Sequence, residues 1–293
     1  MDKVAEEMQN LLENSGMSNS ISKPDPLICE DCKEERPMTQ VKHPFKDELR
    51  WVHCACPCKI KQMEDFDREQ KNKERQVRIN RLLRLSSSME DIKAMTFQNY
   101  KRRKGAENAH EEIAKALRNF GDSKEGVFIF GETGNGKSHL TAAGGNELIR
   151  QGYAVIFITE KDLFSRLLAT KNFKNKESFH EIMGACLDAD LLIWDDFLSS
   201  QRLSNDEKDW MFQIINGRER ANKPIWYTSN LTPAEFNSDA TAYMLDDKGR
   251  TWWRIIGNNN CVFNEAMNYR KSQAFAKAMG ISVEEYEKRA GGA

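Results

Sequence analysis

No run of about eighteen apolar residues occurs anywhere in this 293-residue chain, which excludes an ordinary membrane-spanning helix. The opening segment MDKVAEEMQNLLENSGMSNS lacks an apolar core of signal-peptide length, so the expectation is a soluble, cytoplasmic protein with no membrane partner. Net charge is also nearly absent. The 44 Lys and Arg residues against 45 Asp and Glu leave a net charge of -1. Such a balance argues against a chain coated with nucleic acid, although a local basic surface remains compatible with it. Internal repeats and long low-complexity segments are missing too. From Asp67 to Gln76 there is no apolar residue at all, so this stretch cannot be a well-buried helix.

What is present is clustered. Five of the seven cysteines fall between residues 29 and 58. In a reducing compartment they stay as thiols, and their clustering indicates a metal rather than disulfides. A charged segment without Gly or Pro follows, KIKQMEDFDREQKNKERQVRINRLLRL, and reads as a solvated helical linker. Near Met89 the composition changes to an alternating α/β rhythm that lasts to about residue 231. The expected organisation is a zinc-binding module over 1–62, a helical linker over 63–88 and a nucleotide-binding domain over 89–293. In that domain the apolar runs GVFIF, YAVIFIT, DLLIWDD and PIWYTSN alternate with helix-like segments. Near-continuous apolar strands between helices indicate a parallel sheet covered on both faces.

GETGNGKS, at 131–138, fits the phosphate-cradling P-loop pattern, in the required context of strand, loop and helix. Gly131, Gly134 and Gly136 let the backbone turn its N–H groups toward phosphate oxygens beside a helix N-terminus. Lys137 supplies charge for the β- and γ-phosphates of ATP, and the Ser138 hydroxyl is placed to ligate Mg²⁺. Glu132, Thr133, Asn135 and His139 complete the set expected around the nucleotide. Asp195, at the end of a buried strand, suits the Mg²⁺-holding role known as Walker B, and Asp196 suits the carboxylate that orients the attacking water. Either aspartate has the alternative of capping the next helix. Many ATPases of this build carry Glu at the second position. The shorter Asp predicts slow turnover. Asn230 is placed either to contact the γ-phosphate, the role called sensor 1, or to form a turn before LTP.

In the N-terminal module, Cys29 and Cys32 form a C-x-x-C knuckle, and HCACPC offers His53, Cys54, Cys56 and Cys58. Tetrahedral Zn²⁺ takes four ligands, so the expected set is Cys29 and Cys32 with two of Cys54, Cys56 and Cys58, and His43 as a substitute. So small a module cannot easily fold on its apolar residues alone, which makes the metal structural. Cys186 and Cys261 read as core residues. The basic stretches KRRK, at 101–104, and RQVRINRLLR, at 75–84, are open to two readings: contact with nucleic-acid phosphate, or plain solvated faces.

GETGNGKSHLTAAGGNELIRQGYAVIFIT, LLIWDDF and FQIINGRERANKPIWYTSNL together resemble the AAA+ ATPases that load replicative helicases, the DnaC/DnaI type within the IstB-like ATP-binding superfamily. The resemblance spans about residues 89 to 270. MTFQNY, at 95–100, looks like the segment preceding the ATPase core in that family, and the cysteine-rich front end with a charged linker matches its layout. It implies an AAA+ core with an abbreviated lid, self-association through AAA+ interfaces, and slow, assembly-dependent ATP hydrolysis. The implied partners are the hexameric replicative helicase, gripped by the front module, and single-stranded DNA. KGRTWWR resembles the family segment with two arginines four apart, making Arg250 the arginine finger to a neighbouring subunit and Arg254 its companion. NYR resembles a later family segment and makes Arg270 a sensor 2 residue at its own subunit's phosphate. Trp252 and Trp253 depart from the family pattern, and the tail over 271–293 has no role by resemblance. Two other readings remain open, an IstB-type ATP-dependent DNA-binding regulator of transposition and a P-loop kinase of a small molecule.

Overall fold

The computed structural model describes residues 23–43, 49–83, 89–172, 177–199 and 202–290. Residues 1–22 of the front module, 84–88 of the linker and the last three residues of the tail lie outside this set, as do most side chains of the basic stretch 75–84. The chain divides into two compact units at Glu74 and Arg75.

The first unit is built on an antiparallel pair, β1 (Met38–Lys42) and β2 (Leu49–His53), with Met38 opposite His53. The knuckle before it is closed by Cys29 N–H to Glu34 O and Lys33 N–H to Cys29 O, with Lys33 in the left-handed region at φ 62°. Helix α1 (Pro57–Leu83) starts ahead of the expected boundary at residue 63. Pro57 explains the early start, because a proline costs nothing in a first turn whose N–H groups lack helical partners.

The second unit takes in the end of α1 from Arg75 and continues with helices α2 (Met89–Ala94) and α3 (Glu107–Arg118). There follow β3 (Gly126–Phe130), α4 (Lys137–Arg150), β4 (Val155–Thr159), α5 (Glu160–Ala169), α6 (Phe179–Asp188), β5 (Leu191–Asp195), α7 (Asn205–Arg220) and β6 (Ile225–Ser229). Three short helices come next, α8 (Pro233–Phe236), α9 (Asp239–Leu245) and α10 (Arg250–Gly257), before β7 (Asn259–Phe263) and the closing helices α11 (Tyr269–Met279) and α12 (Val283–Ala290). All five strands of the larger sheet run parallel, in the order β4-β5-β6-β3-β7. The expected α/β class therefore holds, with the sheet extending past residue 231 through β7.

Alternate residues of each strand feed opposite cores, as the twofold repeat of a strand requires. Phe128, Ile156, Leu192, Trp194 and Tyr227 pack with α5, α6, α7 and α10, whereas Val127, Ile129, Val155, Ile193 and Trp226 pack with α3 and α4. Helix α4 lies so close to the sheet that a Cβ on Gly144 would stand 2.7 Å from the Trp226 ring. Arg218, fully buried, satisfies this core with hydrogen bonds to the carbonyls of Cys186, Ala189 and Pro224. Cys186 is in the core as expected and Cys261 is half-buried against it; burial pushes their thiols up to about 12 and about 11.

This strand order positions the site. Ligands of parallel sheets bind beyond the carboxyl ends of the strands. Because β6 lies between β3 and β5, the loop after β3 and the carboxylates after β5 face each other across the end of β6. No helix among the described residues is long and apolar enough to cross a membrane.

Candidate functional site

The P-loop leaves β3 through three residues with left-handed φ, Gly131 at 139°, Gly134 at 71° and Gly136 at 97°. A side chain at Gly136 would be strained there and would also meet the Tyr100 ring at 3.2 Å. Lys137 is buried at the start of α4, and its ammonium donates to Gly131 O at 2.9 Å, Glu132 O at 2.8 Å, and the side-chain oxygens of Asn135 and Asn230, each at 3.1 Å. Burial lowers its pKa to about 8, against the pull of Asp196, Asp195 and Glu132.

Asp195 is buried at the end of β5, and burial raises its pKa against the opposing hydrogen bonds of Thr228 and Ser138. The Thr228 hydroxyl donates to Asp195 Oδ1 at 2.5 Å and accepts from the Asp196 backbone N–H at 3.1 Å. Asp196 and Leu198 both adopt left-handed φ, 53° and 56°. That conformation is uncommon without glycine. It is held by Phe197 N–H to Thr228 O at 2.7 Å and by Leu198 N–H to the buried Glu160 carboxylate at 2.7 Å. The Asn230 amide spans the gap, since its oxygen accepts from Lys137 and its nitrogen donates to Asp196 Oδ1 at 3.3 Å. Thr228 and Glu160 were not legible as site residues. Their only sequence signal is their place at or beside strand ends.

A cavity of about 550 Å³ brings together Lys137, Asp195, Asp196 and Asn230, with Thr133, Gly134, Asn135, Gly136, Ser138 and His139 on its wall. Arg270 lies on the same wall. His139 reaches outward, 3.1 Å from Thr96 O and 2.9 Å from Asn99 Oδ1, and so fastens the 95–100 segment to α4. Arg250 and Arg254 do not line the cavity. Arg254 donates to Asn216 Oδ1 at 2.8 Å, with Glu219 nearby. Arg250 keeps a 70 % exposed side chain and a contact of 3.7 Å to Asp246. The helix start beneath it is tied to the Asp246 carboxylate. Burial works against the Asp246 carboxylate, but N–H groups of Thr251, Arg250 and Lys248 hold its pKa down to about 2. The departure at Trp252 also has a structural account, because its ring anchors α10 in the core, 5.3 Å from Phe236 and 5.7 Å from Phe128. Trp253, by contrast, is 56 % exposed.

Each basic stretch has one arginine held by the fold among the described side chains. Arg103 points inward, bonded to Asn135 O and Met267 O, while Arg102 and Lys104 are exposed. Arg78 is engaged by Asp188 O and by Asp190 at 3.2 Å.

In the first unit the sulfurs of Cys29, Cys32, Cys56 and Cys58 lie within 4.8 Å of one another. Cys29 to Cys58 is 3.5 Å, and Cys56 is 3.3 Å from both Cys32 and Cys58. Zn–S bonds of about 2.3 Å give a tetrahedron with edges of about 3.8 Å, so these thiols fit the ion. Cys54, His43 and His53 stand outside this cluster among the described residues, which narrows the five candidate cysteines to four. The N–H groups of Cys32 and Asp31 hold the Cys29 thiol down to about 6, while Cys56 and burial push Cys58 up to about 12. Elemental analysis should find about one Zn²⁺ per chain, lost in Cys29→Ser or Cys32→Ser and kept in Cys54→Ser.

A parallel sheet with a phosphate loop after β3, paired carboxylates after β5 and a bridging amide after β6 defines a P-loop nucleotide-binding domain of the AAA+ class. The chain belongs to the IstB-like ATP binding protein family, which matches residues 59–248. It is 27 % identical over 201 residues to the uncharacterized protein YdaV of Escherichia coli (strain K12), covering 66 % of this chain and 75 % of that one. It is 30 % identical over 166 residues to the replicative helicase loader DnaC of Escherichia coli (strain K12), covering 55 % of this chain and 66 % of that protein, just under two thirds of its length. The crystal structure of the DnaC helicase loader has the same fold, with a TM-score of 0.50 at 23 % identity, over 58 % of this chain and 95 % of that one.

Proposed function

We propose that this protein is an ATP-dependent loader of a hexameric replicative DNA helicase onto single-stranded DNA, with slow hydrolysis that depends on assembly. Its likeness to a protein named replicative helicase loader supports the class of task. The observation that carries the mechanism is Arg250, exposed on a helix start tied to Asp246 and absent from the wall of its own nucleotide cavity. A guanidinium so placed serves the site of a neighbouring copy. ATP then favours closed interfaces between subunits, and hydrolysis loosens them.

Within one subunit, Lys137 and the P-loop N–H groups hold the phosphates, and Asp196, steadied by Asn230, orients the attacking water. Ser138 and Asp195 would hold Mg²⁺, whose charge offsets that of the phosphates. The Cys₄ cluster, read as a Zn²⁺ site, shapes the front module for the helicase. Exposed Arg102 and Lys104 are candidates for contact with DNA phosphate.

Asp196→Asn should keep ATP affinity and lose hydrolysis, since Asp195 still holds the metal. Nucleotide titration alongside phosphate release checks this, and undiminished turnover would reduce Asp196 to a cap. The full chain with ATP should capture the replicative helicase from its own cell. Capture of a transposase instead would favour the second reading, a regulator of transposition.

A further inference from the structure

Residues beyond 248 lie outside the family match, yet Tyr269 among them bonds the P-loop. Two successive carbonyls of that loop are tied by groups from elsewhere. Gly134 O accepts from the Tyr269 N–H at 2.8 Å, and Asn135 O accepts from Arg103 at 3.0 Å. The C=O and N–H of a trans peptide point in opposite directions. Holding these carbonyls toward their donors therefore turns the N–H groups of Asn135 and Gly136 to the other side, where successive amides make an anion nest.

Arg103 is the hub of this arrangement. Its side chain is only 11 % exposed, and besides Asn135 it donates to Met267 O at 2.7 Å and to Glu287 Oε1 at 3.0 Å, on α12. Its guanidinium also lies 5.0 Å from the centre of the Tyr269 ring. Helix α12 is fixed against α11 by the stacked rings of Phe275 and Tyr286, 5.7 Å apart. Lysine cannot replace this arginine, because a single ammonium lacks the planar fork that spans three acceptors at once.

We propose that Arg103 is a positioning residue for the P-loop and that Glu287 is its counter-charge, which makes α12 part of the nucleotide site. The proposal rests on the ATP reading of that site. It is tested on the full chain with Arg103→Lys, Glu287→Gln, the double variant, and Glu284→Gln as a control on the exposed face of α12. A fluorescent ATP analogue gives affinity, phosphate release gives KM and kcat, and circular dichroism follows the fold. Each single variant should bind about tenfold more weakly, as expected when a charged hydrogen bond is lost. The loss should fall mainly on KM, with melting unchanged. The double variant should be no worse than the poorer single one, because both changes break one coupled unit. Glu284→Gln should match wild type. Unchanged affinity in both single variants, additive losses, or equal loss in Glu284→Gln would overturn the proposal. A wild-type chain that bound no nucleotide would overturn the ATP reading as well, whereas wild-type binding with unaffected variants overturns this proposal alone.

Discussion

Arg250→Ala should bind ATP as wild type does and hydrolyse it about a thousandfold more slowly, the usual contribution of an arginine finger. The side chain is 70 % exposed and lies outside its own subunit's cavity, so on the proposed mechanism the affected site is a neighbour's. Mixing separates this from a defect in cis. Lys137→Ala subunits lack a working P-loop but still carry Arg250, so they should restore part of the activity of Arg250→Ala subunits in a verified mixed assembly. Each variant alone should be inactive. Arg254→Ala is the comparison, because Arg254 already has partners in Asn216 and Glu219. Recovery with Arg254→Ala and none with Arg250→Ala would move the finger to Arg254. No recovery with either would end the trans mechanism.

Lys137→Ala should lower ATP affinity by about a hundredfold while leaving circular dichroism unchanged, since the lost contacts are charge-assisted. An unchanged affinity would remove the P-loop assignment. The same residue predicts a pH dependence. Burial holds Lys137 at about 8, with Asp196, Asp195 and Glu132 pulling the other way. Bound phosphates stabilise the protonated amine, so above about 8 binding must take up a proton. Apparent affinity should then fall as pH rises through 8, by up to about tenfold per pH unit, and be flat in this respect at lower pH. In Lys137→Ala that slope should vanish.

The strands that frame the site were legible because each is buried on both faces. GVFIF, VIFIT, LLIWD and IWYTS are continuous apolar runs or nearly so, and they became β3, β4, β5 and β6. Strand β7, NNCVF, was not legible. It lies at the sheet edge and is only half-buried, so its two asparagines carry no penalty and leave no pattern. The P-loop lysine and the paired aspartates could be placed from local spacing alone. Arg103 and Glu287 could not, because the two side chains meet across 184 residues and the other acceptors of Arg103 are backbone carbonyls, which sequence does not mark. The cysteine cluster was half legible. Spacing singled out the knuckle at Cys29 and Cys32, but the choice among Cys54, Cys56 and Cys58 depended on where α1 starts, and Pro57 sets that between the last two.

The two neighbouring tryptophans of α10 have a practical consequence. Trp194, Trp210, Trp226 and Trp252 are buried, and Trp51 is half-buried. Trp253 is 56 % exposed and stands three residues from Arg250, which on a helix is the same face. A second copy that closes over Arg250 therefore also dries the Trp253 indole, shifting its emission to the blue and shielding it from soluble quenchers. The buried indoles contribute a steady background. The unmodified chain thus carries a fluorophore at its proposed contact, and the pace at which that contact would close and open during an ATP cycle can be followed by light alone.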